Sequence, residues 1–373
     1  MIPVCEPRIG ETERRYVLEC LETGWISSAG RFIPEFEEAF ARYCGRRHGV
    51  AVNNGTSALI AGLRALDLPP GSEVILPSFT IISCALACLY NDLVPVFVDA
   101  DPETWCMDVG AFDAHLSDAT RAIMAVHIYG HPVDMDRLLA FAEMHRLKVV
   151  EDFAEAIGAE YRGRRCGGFG DVSCASFYAN KTITTGEGGM CLTDDRETGD
   201  RLASLRNLCF GSAQRFVHEG LGFNFRMTNI QAALGLAQLE QVDQHVASKR
   251  AVARSYGELL DDLQRQGLVQ LPIERLWARS VYWMYGLILS DRVAASVGEV
   301  ARGMAERGVQ TRPFFHPLHE QPVFASLPWH RPQSLPVAER IARRGLYLPS
   351  GITLTPQEME QVARSLAEVL DAV

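Results

Sequence analysis

The 373 residues contain no Cys-x-x-Cys pair, although ten cysteines are present and the closest two are Cys84 and Cys88. That absence excludes a zinc ribbon and a thioredoxin-like redox motif. Free thiols scattered through a chain this long belong to a reducing compartment, most of them as small buried hydrophobes. Long apolar runs are missing too. The longest, Ile81 to Tyr90, is about half of what a membrane span needs. The opening segment, MIPVCEPRIG, lacks a basic region followed by an apolar one, so it does not read as a signal peptide. A cytoplasmic location with no membrane partner is therefore expected. Positive charge is scarce: 36 Lys and Arg stand against 46 Asp and Glu, a formal net charge of −10. Phosphate neutralisation dominates affinity for nucleic acid, so no nucleic-acid partner is expected. An anionic ligand must instead meet local donors, such as helix N-termini or single arginines. Internal repeats, low-complexity tracts and coiled-coil heptads are absent.

What is present is an ordinary globular composition, 47% hydrophobic and 22% charged. The length suits one large and one small domain, placed at residues 1–245 and 246–373. Between about residues 50 and 195 short apolar runs alternate with helical patterns. Glu73–Pro77, Pro95–Val98, Ala122–His127, Lys148–Asp152 and Ser173–Phe177 read as buried strands, with helices at Ser57–Leu66 and Met135–His145 between them. That alternation predicts an α/β fold with a mainly parallel sheet covered on both faces. Ligands of such sheets collect at the carboxyl ends of the strands. Asn229–Asp243 is strongly helical and is expected to run on towards Leu260. The rest mixes an apolar strand, Val281–Leu289, with helices and a proline-rich loop at Arg312–Pro322, the pattern of a smaller α+β domain.

Three short segments carry the chemistry. In NNGTSAL (Asn53–Leu59), Gly55, Thr56 and Ser57 open a helix, whose free N–H groups make a ready anion site. The plainer reading is a Ser/Thr helix cap. In VVEDFAEA (Val149–Ala156), Asp152 ends a predicted buried strand, where a carboxylate needs a cationic partner such as a protonated pyridine nitrogen. A helix-capping aspartate is the alternative. Twenty-nine residues on, in SFYANKTITTGEGGM (Ser176–Met190), Lys181 follows a strand and precedes a Thr/Gly-rich turn. A lysine there can bond to a cofactor aldehyde and then serve as a proton carrier, or it can simply be solvated in a loop. Each signal alone is weak. Together, and in this order, they offer partners for the phosphate, pyridine nitrogen and aldehyde of pyridoxal 5′-phosphate (PLP).

With TGWISSAGRFIPEFE (Thr23–Glu37) and GFNFRMTNIQAALGLAQLEQVD (Gly222–Asp243), these segments make the chain resemble the DegT/DnrJ/EryC1/StrS family of PLP-dependent sugar aminotransferases over essentially its whole length. The resemblance implies the fold-type I, aspartate aminotransferase-like architecture, with a seven-stranded sheet. It implies that Lys181 carries PLP as a Schiff base and that Asp152 pairs with the ring nitrogen. Gly55, Thr56, Ser57 and Ser176 then hold the phosphate, and Glu155 lies near the ring hydroxyl or the substrate. Asn224 would reach the partner subunit's cofactor, implying a homodimer with shared sites. The family usually places an aromatic residue on the ring in a Pro-Ser-x-Thr-aromatic segment. Here the segment reads Pro77-Ser78-Phe79-Thr80-Ile81, and Ile81 rather than Phe79 is expected to pack on the ring.

The reaction so implied moves an amino group from L-glutamate to C4 of a nucleotide-linked 4-keto-6-deoxy sugar, with GDP-4-keto-6-deoxymannose foremost. Pyridoxamine 5′-phosphate would form during the cycle. The alternatives are amination at C3, or of a UDP- or dTDP-linked sugar. A sugar dehydratase is disfavoured, because such relatives carry histidine where Lys181 stands, and a non-catalytic regulator of the same fold is a more distant reading. Substrate contacts are expected from Trp25, Ser27, Arg31, His127, Tyr129, Arg226, Arg312 and His316, and His319 is a further loop candidate. No metal is expected, since His316 and His319 have no cysteine close by in sequence.

Overall fold

The computed structural model describes residues 1–211 and 216–372. Its centre is a seven-stranded sheet of β1 (His48–Val52), β2 (Glu73–Pro77), β3 (Val94–Val98), β4 (Thr120–Val126), β5 (Lys148–Asp152), β6 (Val172–Ser176) and β7 (Gly189–Thr193), in the order β1-β7-β6-β5-β4-β2-β3. The pairs from β6 through β5, β4 and β2 to β3 are parallel. Only β7 runs against its neighbours β6 and β1. Every residue of β6 and β7 is buried, which requires helices on both faces of the sheet.

Those helices are α1 (Glu11–Thr23), α2 (Phe32–Tyr43), α3 (Gly55–Ala65), α4 (Ser83–Leu89), α5 (Met135–His145), α6 (Arg196–Arg206) and α7 (Asn229–Leu239). On α2, Phe32, Ile33, Phe36 and Phe40 form one apolar stripe. The rings of Phe36 and Phe40 meet Phe177, each at 5.1 Å between centroids, just beyond the end of β6. The long helix expected from residue 229 is two helices, because Gln241 (φ −111°, ψ 5°) leaves helical geometry before α8 (Val242–Leu259) begins.

Beyond α8 a four-stranded antiparallel sheet contains Val269–Gln270, Tyr285–Leu289, Gly345–Leu348 and Arg312–Pro313, in that order across the sheet. The helices at Val297–Glu306 and Pro356–Asp371 pack in the same core through Val300, Met304, Val362 and Leu366. The expected strand at Val281–Leu289 starts later, at Tyr285, since Tyr282 lies at φ 49° and cannot continue an extended run. Among the described residues no helix is long and apolar enough to cross a membrane.

Register decides where chemistry can gather. Val126 sits beside Asp152, and Asp152 beside Cys174. The carboxyl ends of β4, β5 and β6 therefore open at one sheet edge.

Candidate active site

At that edge lies a cavity of about 630 Å³, within the range of small-molecule sites. Its wall includes the start of α3, the Thr80–Ile81 segment, Asp152, Glu155, Ser176 and Lys181, with Phe225, Trp283, Phe315 and Tyr347 from later in the chain.

The start of α3 is set by Asn54, whose side-chain oxygen accepts the Ser57 N–H at 2.8 Å. The N–H groups of Gly55 and Thr56 have no acceptor within the helix and stay available to an anion. Thr56 and Ser83 share a hydroxyl–hydroxyl hydrogen bond of 2.8 Å. Gly55 is required by contact rather than by backbone angle. A Cβ there would lie 2.7 Å from Cβ of Ser176 and 3.0 Å from its hydroxyl, so only glycine lets the helix start close on the end of β6.

Asp152 is buried at the end of β5. One carboxylate oxygen accepts the Ala154 N–H at 3.0 Å and the other the Cys84 thiol at 3.4 Å. A carboxylate offers about four acceptor positions, so room remains for a further donor. Burial raises its pKa, against the Ala154 N–H and the Lys181 charge. Glu155 is likewise buried, and its carboxylate accepts the Tyr129 N–H at 2.8 Å. Tyr129 takes φ 50° to present that N–H, a left-handed geometry uncommon outside glycine. Burial pushes Glu155 up to about 7, with Lys181 as the main opposing influence.

Lys181 Nζ lies 3.8 Å from Glu155, and its side chain is only 11% exposed. Burial lowers its pKa, opposed first by Glu155 and then by Asp152. The cavity thus holds one amine, a buried carboxylate with spare acceptor capacity and a helix start with free N–H groups. These are the three kinds of partner that PLP needs, and the residues present fit it.

A sequence profile of the DegT/DnrJ/EryC1/StrS aminotransferase family matches residues 7–367. The chain belongs to that family. It is 44% identical to the GDP-perosamine synthase of Caulobacter vibrioides, over 99% of this chain and 98% of the relative. Identity to the GDP-perosamine synthase of Escherichia coli O157:H7 is 40%, over 98% of each chain. The X-ray structure of the aminotransferase from Psychrobacter cryohalolentis superposes with a TM-score of 0.93 at 28% identity, covering 99% of this chain and 98% of that one. The fold is that of the fold-type I PLP-dependent transferases, and the protein is a PLP-dependent sugar aminotransferase.

The remaining predicted residues separate into three groups. Ile81 lines the cavity and is 44% exposed. Phe79 is fully buried, facing Tyr129 and Phe314 at 6.0 and 5.7 Å between centroids. His127 and Tyr129 are buried and outside the cavity wall. His127 uses both ring nitrogens in the core, one facing Glu151 at 3.0 Å and the other accepting the Val133 N–H at 3.0 Å. His319 is also buried, 2.7 Å from the Ser78 hydroxyl.

The third group does not line the cavity. Trp25, Asn224, Arg312 and His316 are exposed, and the Ser27 carbonyl accepts the Asn229 N–H at 2.6 Å. Arg31 is engaged by Glu19 and Glu35 at 2.6 and 2.8 Å. Arg226 donates to Asn207 at 2.9 Å and lines a second hollow with Ser28, Arg206 and Phe210. Sequence reasoning missed Cys84, Trp283, Phe315 and Tyr347. Cys84, in the apolar run of α4, carries no signal of a thiol aimed at a carboxylate. The three aromatics come from strands and loops far along the chain.

Proposed function

We propose that this enzyme transfers the amino group of L-glutamate to C4 of GDP-4-keto-6-deoxymannose and releases GDP-perosamine. The observation that carries the chemistry is the convergence of Lys181, Asp152, Glu155 and the start of α3 on one cavity. The choice of sugar is supported by the GDP-perosamine synthases that match the chain almost end to end. We further infer a cytoplasmic homodimer with shared sites. Asn224 is exposed and Arg226 lines a separate hollow, positions suited to serving a neighbouring copy rather than their own cavity.

Bound PLP supplies an aldehyde carbon that reacts with amines and a pyridine ring that draws electron density from the adjoining carbon. Lys181 is the amine that would hold it, and burial favours the neutral, nucleophilic form of that amine. Asp152 faces the ring nitrogen in this reading. A proton kept there would restore to its carboxylate the charge that burial disfavours. Gly55, Thr56, Ser57 and Ser176 would receive the phosphate, and Ile81 would cover a ring face. Once free, Lys181 Nζ takes a proton from the α-carbon of glutamate in the first half-reaction. In the second it delivers one to C4 of the sugar. Glu155, held by the Tyr129 N–H, stays beside that nitrogen throughout.

The test is product analysis by mass spectrometry and NMR after incubation with PLP, glutamate and GDP-4-keto-6-deoxymannose. The expected products are GDP-perosamine and 2-oxoglutarate in equal amounts, and none of either with Lys181→Ala. Amination of UDP- or dTDP-linked keto sugars but not the GDP-linked one would overturn the sugar assignment and leave the chemistry standing.

A further inference from the structure

The catalytic cycle requires Lys181 to be free for part of every turnover, and the structure shows what surrounds the free amine. Nζ lies 3.8 Å from the centroid of the Trp283 ring and 3.8 Å from the Glu155 carboxylate. The two partners come from distant parts of the chain, one following β5 and the other preceding the strand at Tyr285–Leu289.

Trp283 is held firmly in that place. Its indole N–H donates to the Asn180 carbonyl, next to Lys181, at 2.7 Å. Its own carbonyl accepts the buried Lys249 ammonium at 2.9 Å, and the same ammonium donates to the Ser350 carbonyl at 2.6 Å. The indole also stacks on Tyr129, at 6.1 Å and 28°, and Tyr129 is the residue whose N–H holds Glu155. The aromatic face and the carboxylate are therefore linked through Tyr129, and the amine lies 3.8 Å from each.

A tryptophan lining a cavity is ordinarily just wall. This one differs because its face, whose quadrupole attracts a cation but not a neutral amine, sits within contact distance of the amine that must take up a proton. We propose that Trp283 is a positioning residue which, with Glu155, seats the protonated Lys181 amine whenever it is free and so sets that amine's affinity for a proton. The inference rests on Lys181 being the cofactor-bearing lysine.

Burial acts against the charged amine, and Glu155, Asp152 and Cys84 act for it. Cys174, Tyr178, Glu187 and Tyr347 complete the ionisable groups of the cavity wall. Trp283 adds to the favouring side without adding a group that could take the proton itself. Lys181 thus gains a seat for its charged form that does not compete for the proton being moved.

The test uses full-length protein stripped of cofactor. Lys181 is titrated by the pH dependence of its acetylation by acetic anhydride, quantified on the Lys181 peptide by mass spectrometry. Trp283→Leu should lower the midpoint by about 0.5 to 1.5 pH units, the shift expected for a desolvated aromatic face. Trp283→Phe keeps a weaker face and should fall between wild type and Trp283→Leu. Glu155→Gln should also lower the midpoint. If Trp283→Leu does not fold, the phenylalanine variant still decides, because its midpoint must lie below that of wild type. Midpoints unchanged in the folded Trp283 variants would overturn the proposal. Failure of the underlying reading shows separately, as borohydride reduction that fixes the cofactor to a residue other than Lys181.

Discussion

Gly55→Ala isolates a steric requirement on which the anion-binding turn depends. The added methyl would stand 2.7 Å from Cβ of Ser176 and 3.0 Å from its hydroxyl, whereas carbon atoms pack comfortably at about 3.5–4.0 Å. Relief requires the start of α3 and the end of β6 to separate by roughly 1 Å. Both are packed, since Ser57 and every residue of β6 are buried. Forcing an extra methyl into such a place costs about 1–3 kcal/mol. The cost divides between the fold and the phosphate site, because the N–H groups of Gly55 and Thr56 move with the helix. If all of it fell on binding, PLP affinity would drop about five- to 150-fold. The assay is a PLP titration followed by absorbance, paired with thermal melting of the cofactor-free protein. Gly257→Ala serves as the control. Gly257 lies within α8 with nothing within 4 Å of its added Cβ, so alanine should stabilise by about 0.5–1 kcal/mol and leave PLP affinity alone. A Gly55→Ala protein that melts and binds PLP like wild type would refute the close-approach argument.

Other perturbations probe the site and its supports. With Glu155 pushed up to about 7 from an ordinary 4.5, the folded chain holds a proton that the unfolded chain has released between those pH values. Stability of the cofactor-free protein should therefore fall as pH rises through that window, and Glu155→Gln should flatten the fall in a urea-unfolding series. His127→Gln should lower stability by about 1–3 kcal/mol through the lost buried hydrogen bonds with the sugar KM unchanged. A raised KM with unaltered melting would instead return His127 to the substrate wall. Asn224→Ala should weaken PLP binding although Asn224 is exposed and outside its own chain's cavity. Unchanged affinity would count against shared sites.

The parallel strands were legible because their burial on both faces leaves continuous apolar runs in the sequence, and Glu73–Pro77 and Lys148–Asp152 match their predicted limits. β7 escaped notice. It opens on the Gly188–Gly189 pair, and with both faces covered its antiparallel pairing leaves no alternation. The break at Glu240–Gln241 has neither proline nor glycine to announce it. Within the cavity, Lys181, Asp152 and the α3 start were readable because each lies at or just after the end of a local apolar strand. Trp283, Phe315 and Tyr347 were not, since only the packing of the four-stranded sheet brings them there. His127 shows the converse difficulty: a strand end predicts proximity to the sheet edge but not which way the ring turns. It turns inward to Glu151, whose carboxylate already accepts the Gly167 and Phe169 N–H groups.

The most direct test of the central claim is a visible absorbance scan of the purified protein supplied with PLP, first with L-glutamate and then with GDP-4-keto-6-deoxymannose. The cofactor band should appear in wild type, and borohydride reduction should fix the cofactor covalently to the Lys181 peptide and leave Lys181→Ala unlabelled. The band should fall on adding glutamate and return on adding the sugar. Cofactor fixed by reduction to a residue other than Lys181, or a wild-type band that glutamate leaves unchanged, would contradict the account.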